Sequence, residues 1–131
     1  MVLVNNKMML AYGFEDEEKV FLDNMIKELQ LPPYKVVEKN MAIMTIRNII
    51  DGPVLDTYHK QLPEEKVIMF NNFTDHELDM TIKTIRSNKN IKPILAVVTP
   101  TSINWEFHYL LEHLMEEREQ ARKYMHQKAQ G

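Results

Sequence analysis

MMLAYGFEDEE (Met8–Glu18) and VIMFNNFTDHE (Val67–Glu77) are the two stretches on which the fold turns. They align at a constant offset of 59 residues, with Phe14/Phe73, Asp16/Asp75 and Glu18/Glu77 identical. After a one-residue insertion the register resumes at an offset of 60, which matches Pro33 to Pro93, Val37 to Val97 and Ile43 to Ile103. A fixed internal period marks a repeated supersecondary unit. The chain therefore reads as a single domain, residues 1–131, of two internal repeats at about 8–50 and 66–115, followed by a helical tail over 116–131.

Working outward, each half reads strand, helix, strand, helix. Met8–Tyr12 is a short apolar run suited to a buried strand, ended by Gly13. Phe21, Met25, Ile26 and Leu29 then follow helical spacing until Pro32 and Pro33 stop it. Tyr34–Val37 reads as a second strand, and Ile43–Ile50 as a short helix closed by Asp51-Gly52-Pro53. Val54–Glu65 is a connector in which Leu55, Tyr58 and Leu62 can pack as a turn of helix. In the second half, Lys66–Phe70 is a strand and Thr74-Asp-His-Glu77 a capping box. Leu78, Ile82 and Ile85 supply the apolar stripe, and Ile94–Val98 is wholly apolar. Phe107, Leu110, Leu111, Leu114 and Met115 mark the buried face of the longest helix, expected from Asn104 to Gln127 and about 36 Å long.

Four strands alternating with four helices give an α/β fold. Two βαβα repeats form a four-stranded, mainly parallel sheet with helices on both faces and a long C-terminal helix. Equivalent halves favour strand order 2-1-3-4 with a pseudo-two-fold axis along the strands. A ferredoxin-like α+β arrangement is the alternative, but it needs two consecutive strands that the pattern does not supply.

Composition excludes more than it suggests. Zero cysteines remove thiol chemistry, disulfides and thiolate metal sites. A net charge of −3 offers no global attraction to nucleic acid or anionic lipid, so neither nucleic acid nor membrane is expected as a partner. No apolar run nears the length of a membrane span and the first residues lack signal-peptide character, so a cytoplasmic location is expected. Ten methionines fall mostly within apolar strand or helix patterns, as core filler.

The chemistry-bearing residues gather in the second half. Ligands in open α/β sheets collect beyond the carboxyl ends of strands. The stretch Val98-Thr-Pro-Thr-Ser-Ile-Asn-Trp105 is the richest such end. Thr101, Ser102 or Asn104 can cap the long helix, and its first amides could receive a phosphate or carboxylate. The candidate ligand-binding set is Asn71, Asn72, Thr99, Thr101, Ser102, Asn104 and Trp105. Hydroxyls capping a helix and a tryptophan anchoring its first turn also need no ligand at all.

Three glycines exclude the glycine-rich nucleotide fingerprints. His108 and His113 are five residues apart, on different helix faces; His108/Glu112 and His113/Glu117 have chelating spacing without further ligands. Asp56, His59 and Ser102 name the residue types of a hydrolase triad, with nothing in their spacing to support one. No catalytic residue, metal or cofactor is expected.

The stretch Pro93–Glu119, with its Thr-rich turn, Asn104-Trp105 step and Leu- and Glu-rich helix, resembles the bacterial domain-of-unknown-function family 3783. Lys66–Phe73 with Asp75 and Glu77 fits the family's opening, so the resemblance covers Lys66–Glu119. It implies a bacterial, cytoplasmic protein and no particular activity. The first half lacks the Asn-Trp step. The functional expectation is a non-enzymatic interaction or regulatory domain that meets a protein partner, or a second copy of itself, through the last helix. The alternative is a small anionic-ligand-binding module using the loop Thr99–Trp105.

Overall fold

The computed structural model describes residues 7–52 and 61–130, with side chains placed through Met125. Leu55, Asp56, Tyr58 and His59 lie outside the described residues, as does the side chain of His126. The apolar runs form β1 (Met8–Tyr12), β2 (Lys35–Val37), β3 (Val67–Asn71) and β4 (Ile94–Val97). The amphipathic stretches form α1 (Asp16–Glu28), α2 (Ile46–Asp51), α3 (Asp75–Ser87) and α4 (Phe107–Gln130), with 3-10 turns at Lys39–Met41 and Ser102–Asn104.

Local chemistry sets where the helices start. The Thr74 hydroxyl oxygen accepts from Glu77 N–H at 3.2 Å, and Glu77 Oε1 accepts from Thr74 N–H at 2.9 Å. Glu15 stands at the matching place in the first half. Its N–H donates to Glu18 Oε1 at 2.8 Å, and three acids in the first turn suit the positive helix end. Thr45 caps α2 by accepting from Asn48 N–H at 3.2 Å. Lys35 closes the other end of α2, donating to the Ile49 and Gly52 carbonyls at 2.6 and 3.2 Å.

The sheet order is β2-β1-β3-β4, as the equivalence of the halves indicated. The sheet is mixed: β1/β2 and β3/β4 run parallel, whereas the central pair β1/β3 is antiparallel. An axis along the strands would make β1 and β3 parallel, so the expected axis is wrong. The pairing register places it perpendicular to the sheet. Leu10 faces Met69, its own equivalent at offset 59, and the flanking pairs Met8/Asn71 and Tyr12/Val67 interchange about it. Further along, Met69 pairs with Ala96 as Leu10 pairs with Lys35, so Val37 corresponds to Val98. The later offset is 61, not 60.

The same axis emerges on one helical face, where Thr45 bridges Glu106, again its own equivalent at offset 61. Ile46 N–H donates to Trp105 O and Phe107 N–H to Met44 O, each at 2.9 Å, a reciprocal pair about the axis.

Strand alternation divides the core into two layers. Leu10, Tyr12, Val67 and Met69 meet Ile46 and Ile49 of α2 and Phe107 and Leu111 of α4. Met9, Ala11, Ile68 and Phe70 meet Leu22 and Met25 of α1 and Ile85 of α3. Each fully buried side chain of this size stabilises by about 1.5–3 kcal/mol. The Tyr12 and Phe107 rings meet edge-on at 5.1 Å, and the Tyr12 hydroxyl donates to Pro63 O at 2.9 Å. Thr81 of α3 is fully buried, yet its hydroxyl has no partner among the described residues. No two consecutive strands lack an intervening helix among the described residues, which disposes of the ferredoxin-like alternative.

Because β1 and β3 are antiparallel, the strand ends sort onto two opposite edges. One edge carries the turn after β1, the turn after β2 and the segments entering β3 and β4. The other carries Asn71–Asp75, which follows β3, and Val98–Glu106, which follows β4. At the first edge Gly13 adopts φ +89, and a Cβ there would stand 1.8 Å from Glu65 O. Three lysine or arginine pairs fasten this framework. Arg118 bonds Glu65 and holds its carboxyl below the usual range. Lys7, at 2.6 Å, with the Thr74 amide, does the same for Glu77. Burial alone would push the Glu18 carboxyl up, but the bonds from Lys66 and the Glu15 amide outweigh it and bring it down.

Candidate functional site

All seven candidate residues lie at or beyond the C-terminal ends of β3 and β4. Asn71 ends β3, and Asn72 follows in the left-handed region at φ 65. Asparagine tolerates that conformation better than most residues because its short side chain bonds locally. Pro100 keeps Thr99 out of helix, and the chain then turns tightly through Ser102–Asn104.

The polar groups of that turn largely satisfy one another. Ser102 Oγ accepts from Thr99 N–H at 2.9 Å and from the Thr99 hydroxyl at 3.1 Å. Thr99 Oγ1 accepts from Ser102 N–H at 3.0 Å. The amides of Ile103, Asn104 and Trp105 donate to the carbonyls of Thr99, Thr101 and Ser102. The long helix begins at Phe107 rather than Asn104. Its first amides, Phe107 and His108, donate to Met44 O and Ala42 O of the first half at 2.9 and 3.0 Å. Asn104 Oδ1 accepts from Arg47 Nη2 at 3.2 Å and Nε at 3.4 Å, so Arg47 is a member of this turn that sequence reasoning did not name. Nothing in the residues around Arg47 signals that contact, because it spans the two halves.

Trp105 opens a row that the four-residue spacing Trp105, Tyr109, His113, Glu117 could have announced. Its ring meets Tyr109 edge-on at 4.9 Å and His113 at 5.1 Å, and Tyr109 and His113 lie nearly parallel at 6.5 Å. His113 Nε2 is 2.6 Å from Glu117 Oε1, which gives that pair a partner in each other. A concavity of about 340 Å³ lies between β4 and α4. Thr99, Ser102 and Trp105 line it together with Val98, Leu110 and His113; Asn71, Asn72, Thr101 and Asn104 do not. Among the described residues no group of three or more histidines and acids stands close enough to hold a metal, and no helix is long and apolar enough to cross a membrane.

Fold and site together define a small α/β domain: two βαβα halves about a mixed sheet, with one half carrying a polar turn and an aromatic row. Residues 66–120, the half with that turn and row, match the family described as Domain of unknown function (DUF3783). No curated protein and no solved structure matches the chain.

Proposed function

We propose that this protein is a non-enzymatic, bacterial, cytoplasmic interaction or regulatory domain, a duplicated βαβα unit that meets a protein partner through α4, with a second copy of itself as the first candidate. The observation that carries the reading is the exposed end of α4. Its 24 residues run about 36 Å. The domain's radius of gyration is expected to be roughly 14 Å. Arg118 already reaches the far edge of the sheet at Glu65, and the helix continues beyond it to Gln130. There Tyr124 is 62% exposed and Met125 66%. Large apolar side chains left outside a core mark contact surfaces when they cluster.

Sedimentation velocity of the full chain across a concentration series tests this. A concentration-dependent dimer in the parent, and a monomer with unchanged melting temperature in Tyr124→Glu, Met125→Glu, is expected. A parent that stays monomeric removes self-association.

A second reading, a small anionic ligand at Thr99–Trp105, draws support from the concavity beside Trp105. Ligand at 100 times its dissociation constant adds about 2.7 kcal/mol of stability. A thermal-shift panel of phosphorylated metabolites and carboxylates, run beside Asn104→Ala, Trp105→Ala, is its test. Stabilisation of the parent alone supports it, and no shift in a folded pair removes it.

A further inference from the structure

β4 is an outer strand, and nothing among the described residues pairs with its far side. Ile94 N–H donates to Lys66 O at 2.8 Å and Val98 N–H to Phe70 O at 2.9 Å. Alternation along the strand then turns the N–H and C=O of Leu95 and Val97 to the open side. Outer strands are normally guarded by brevity, charge or proline. The opposite outer strand, β2, is three residues long and carries Lys35. β4 has four residues, none charged, and Val97 is 51% exposed.

A concavity lies on each face of the sheet at this edge. On the α4 face is the one beside Trp105, walled by Val98, Leu110 and Leu114. On the α3 face is one of about 580 Å³, with Ile85, Ile91 and Leu95 as its apolar walls and Arg86, Lys89 and Lys92 around it. All three cations are exposed, and none has an ion-pair or hydrogen-bond partner among the described residues. Arg86 sits in the last turn of α3, where a cation suits the helix end. Lys89 and Lys92 lie beyond the helix, where its dipole does not account for them.

An added strand sends alternate side chains to the two faces, so one segment would fill both concavities while its main chain bonds Leu95 and Val97. We infer that the open edge of β4 docks an extended segment of another protein, apolar where it faces α4 and acidic where it faces Arg86, Lys89 and Lys92. A small ligand cannot reach both faces. A second copy's β4 is uncharged and would leave the three cations unanswered. This surface is separate from the exposed end of α4, and the two readings stand or fall independently.

The test is an NMR titration of the isotope-labelled full chain at low salt. Two capped peptides of about ten residues serve as probes, one alternating Val with Glu and one alternating Val with Lys. The Val/Glu peptide is expected to saturate below about 1 mM, at least about tenfold more tightly than Val/Lys. It should also slow exchange of the Leu95 and Val97 amides by about tenfold or more. Val97→Pro removes one outward N–H without touching a bond to β3 and should weaken binding by about tenfold with the fold retained. Lys89→Glu, Lys92→Glu, both on the surface, should reverse the preference between the peptides. No saturation by either peptide up to about 1 mM overturns the inference. So does binding that leaves the Leu95 and Val97 amides exchanging as in the free protein. Protection of those two amides that grows with protein concentration alone, without peptide, overturns the choice of partner.

Discussion

Replacing Gly13 by alanine probes the joint between the halves at its tightest point. Gly13 sits at φ +89, where a side chain costs about 1–2 kcal/mol. The added Cβ would stand 1.8 Å from Glu65 O and 2.9 Å from its carbonyl carbon. Both atoms are main chain, so relief requires the segment entering β3 to retreat. That segment carries the Tyr12 hydroxyl bond to Pro63, worth about 1 kcal/mol, and the Lys66–Glu18 and Arg118–Glu65 pairs. The expected loss is about 3–5 kcal/mol, a large part of a small domain's total stability. Asn72 is the internal control, since it occupies the equivalent position at φ 65 and already has a Cβ. Asn72→Ala should cost about 1 kcal/mol, and Asn72→Gly, which keeps φ 65 without strain, less than that. Urea unfolding followed by far-ultraviolet circular dichroism measures all three through midpoint shifts at constant m. A Gly13→Ala loss no larger than that of Asn72→Ala would refute the close approach to Glu65.

Thr81→Val removes, at nearly constant shape, a buried hydroxyl that lacks a partner among the described residues, and should raise stability by about 1 kcal/mol in the same assay. A loss would mean the hydroxyl is bonded. Phe107→Ala empties a fully buried ring site at the start of α4 and should cost about 3–5 kcal/mol. Thr74→Ala removes the α3 cap and should cost about 1 kcal/mol. The pH dependence follows from the three carboxyls held low. Glu18, Glu65 and Glu77 bind protons in the unfolded chain before the folded one, so their stabilisation is complete above about pH 5. It is lost as pH falls through the lowered folded values. Arg118→Met should flatten the acid limb of melting temperature against pH, and an unchanged limb would deny Arg118 that role.

The elements were legible because their residues report burial directly. Continuous apolar runs located β1, β3 and β4, period-3.6 runs located α1 and α3, and Thr74/Glu77 marked a real capping box. The equivalence of the halves carried the strand order as well. Strand direction was not legible, because β1 and β3 are buried on both faces and look alike whichever way they run. The start of α4 was misplaced for a related reason. Met44 and Ala42, some sixty residues away, supply the carbonyls that its first amides use, and no local spacing reports them. In the candidate site, Ser102 read as a cap of the long helix, whereas its hydroxyl closes the turn with Thr99 and the helix starts five residues later. Arg47 on Asn104 was not legible, since that contact exists only once the halves meet about their axis.

The central claim is that α4 ends in a contact surface, and a photoreactive phenylalanine analogue at position 124 tests it most directly. The full chain would be irradiated in living cells beside a control bearing the analogue at Lys83, an exposed position on α3. A discrete protein adduct formed from position 124 and absent from the control is the predicted result, with a second copy of this chain as the first adduct to look for. Equal labelling from both positions, or no adduct from 124, would contradict the claim.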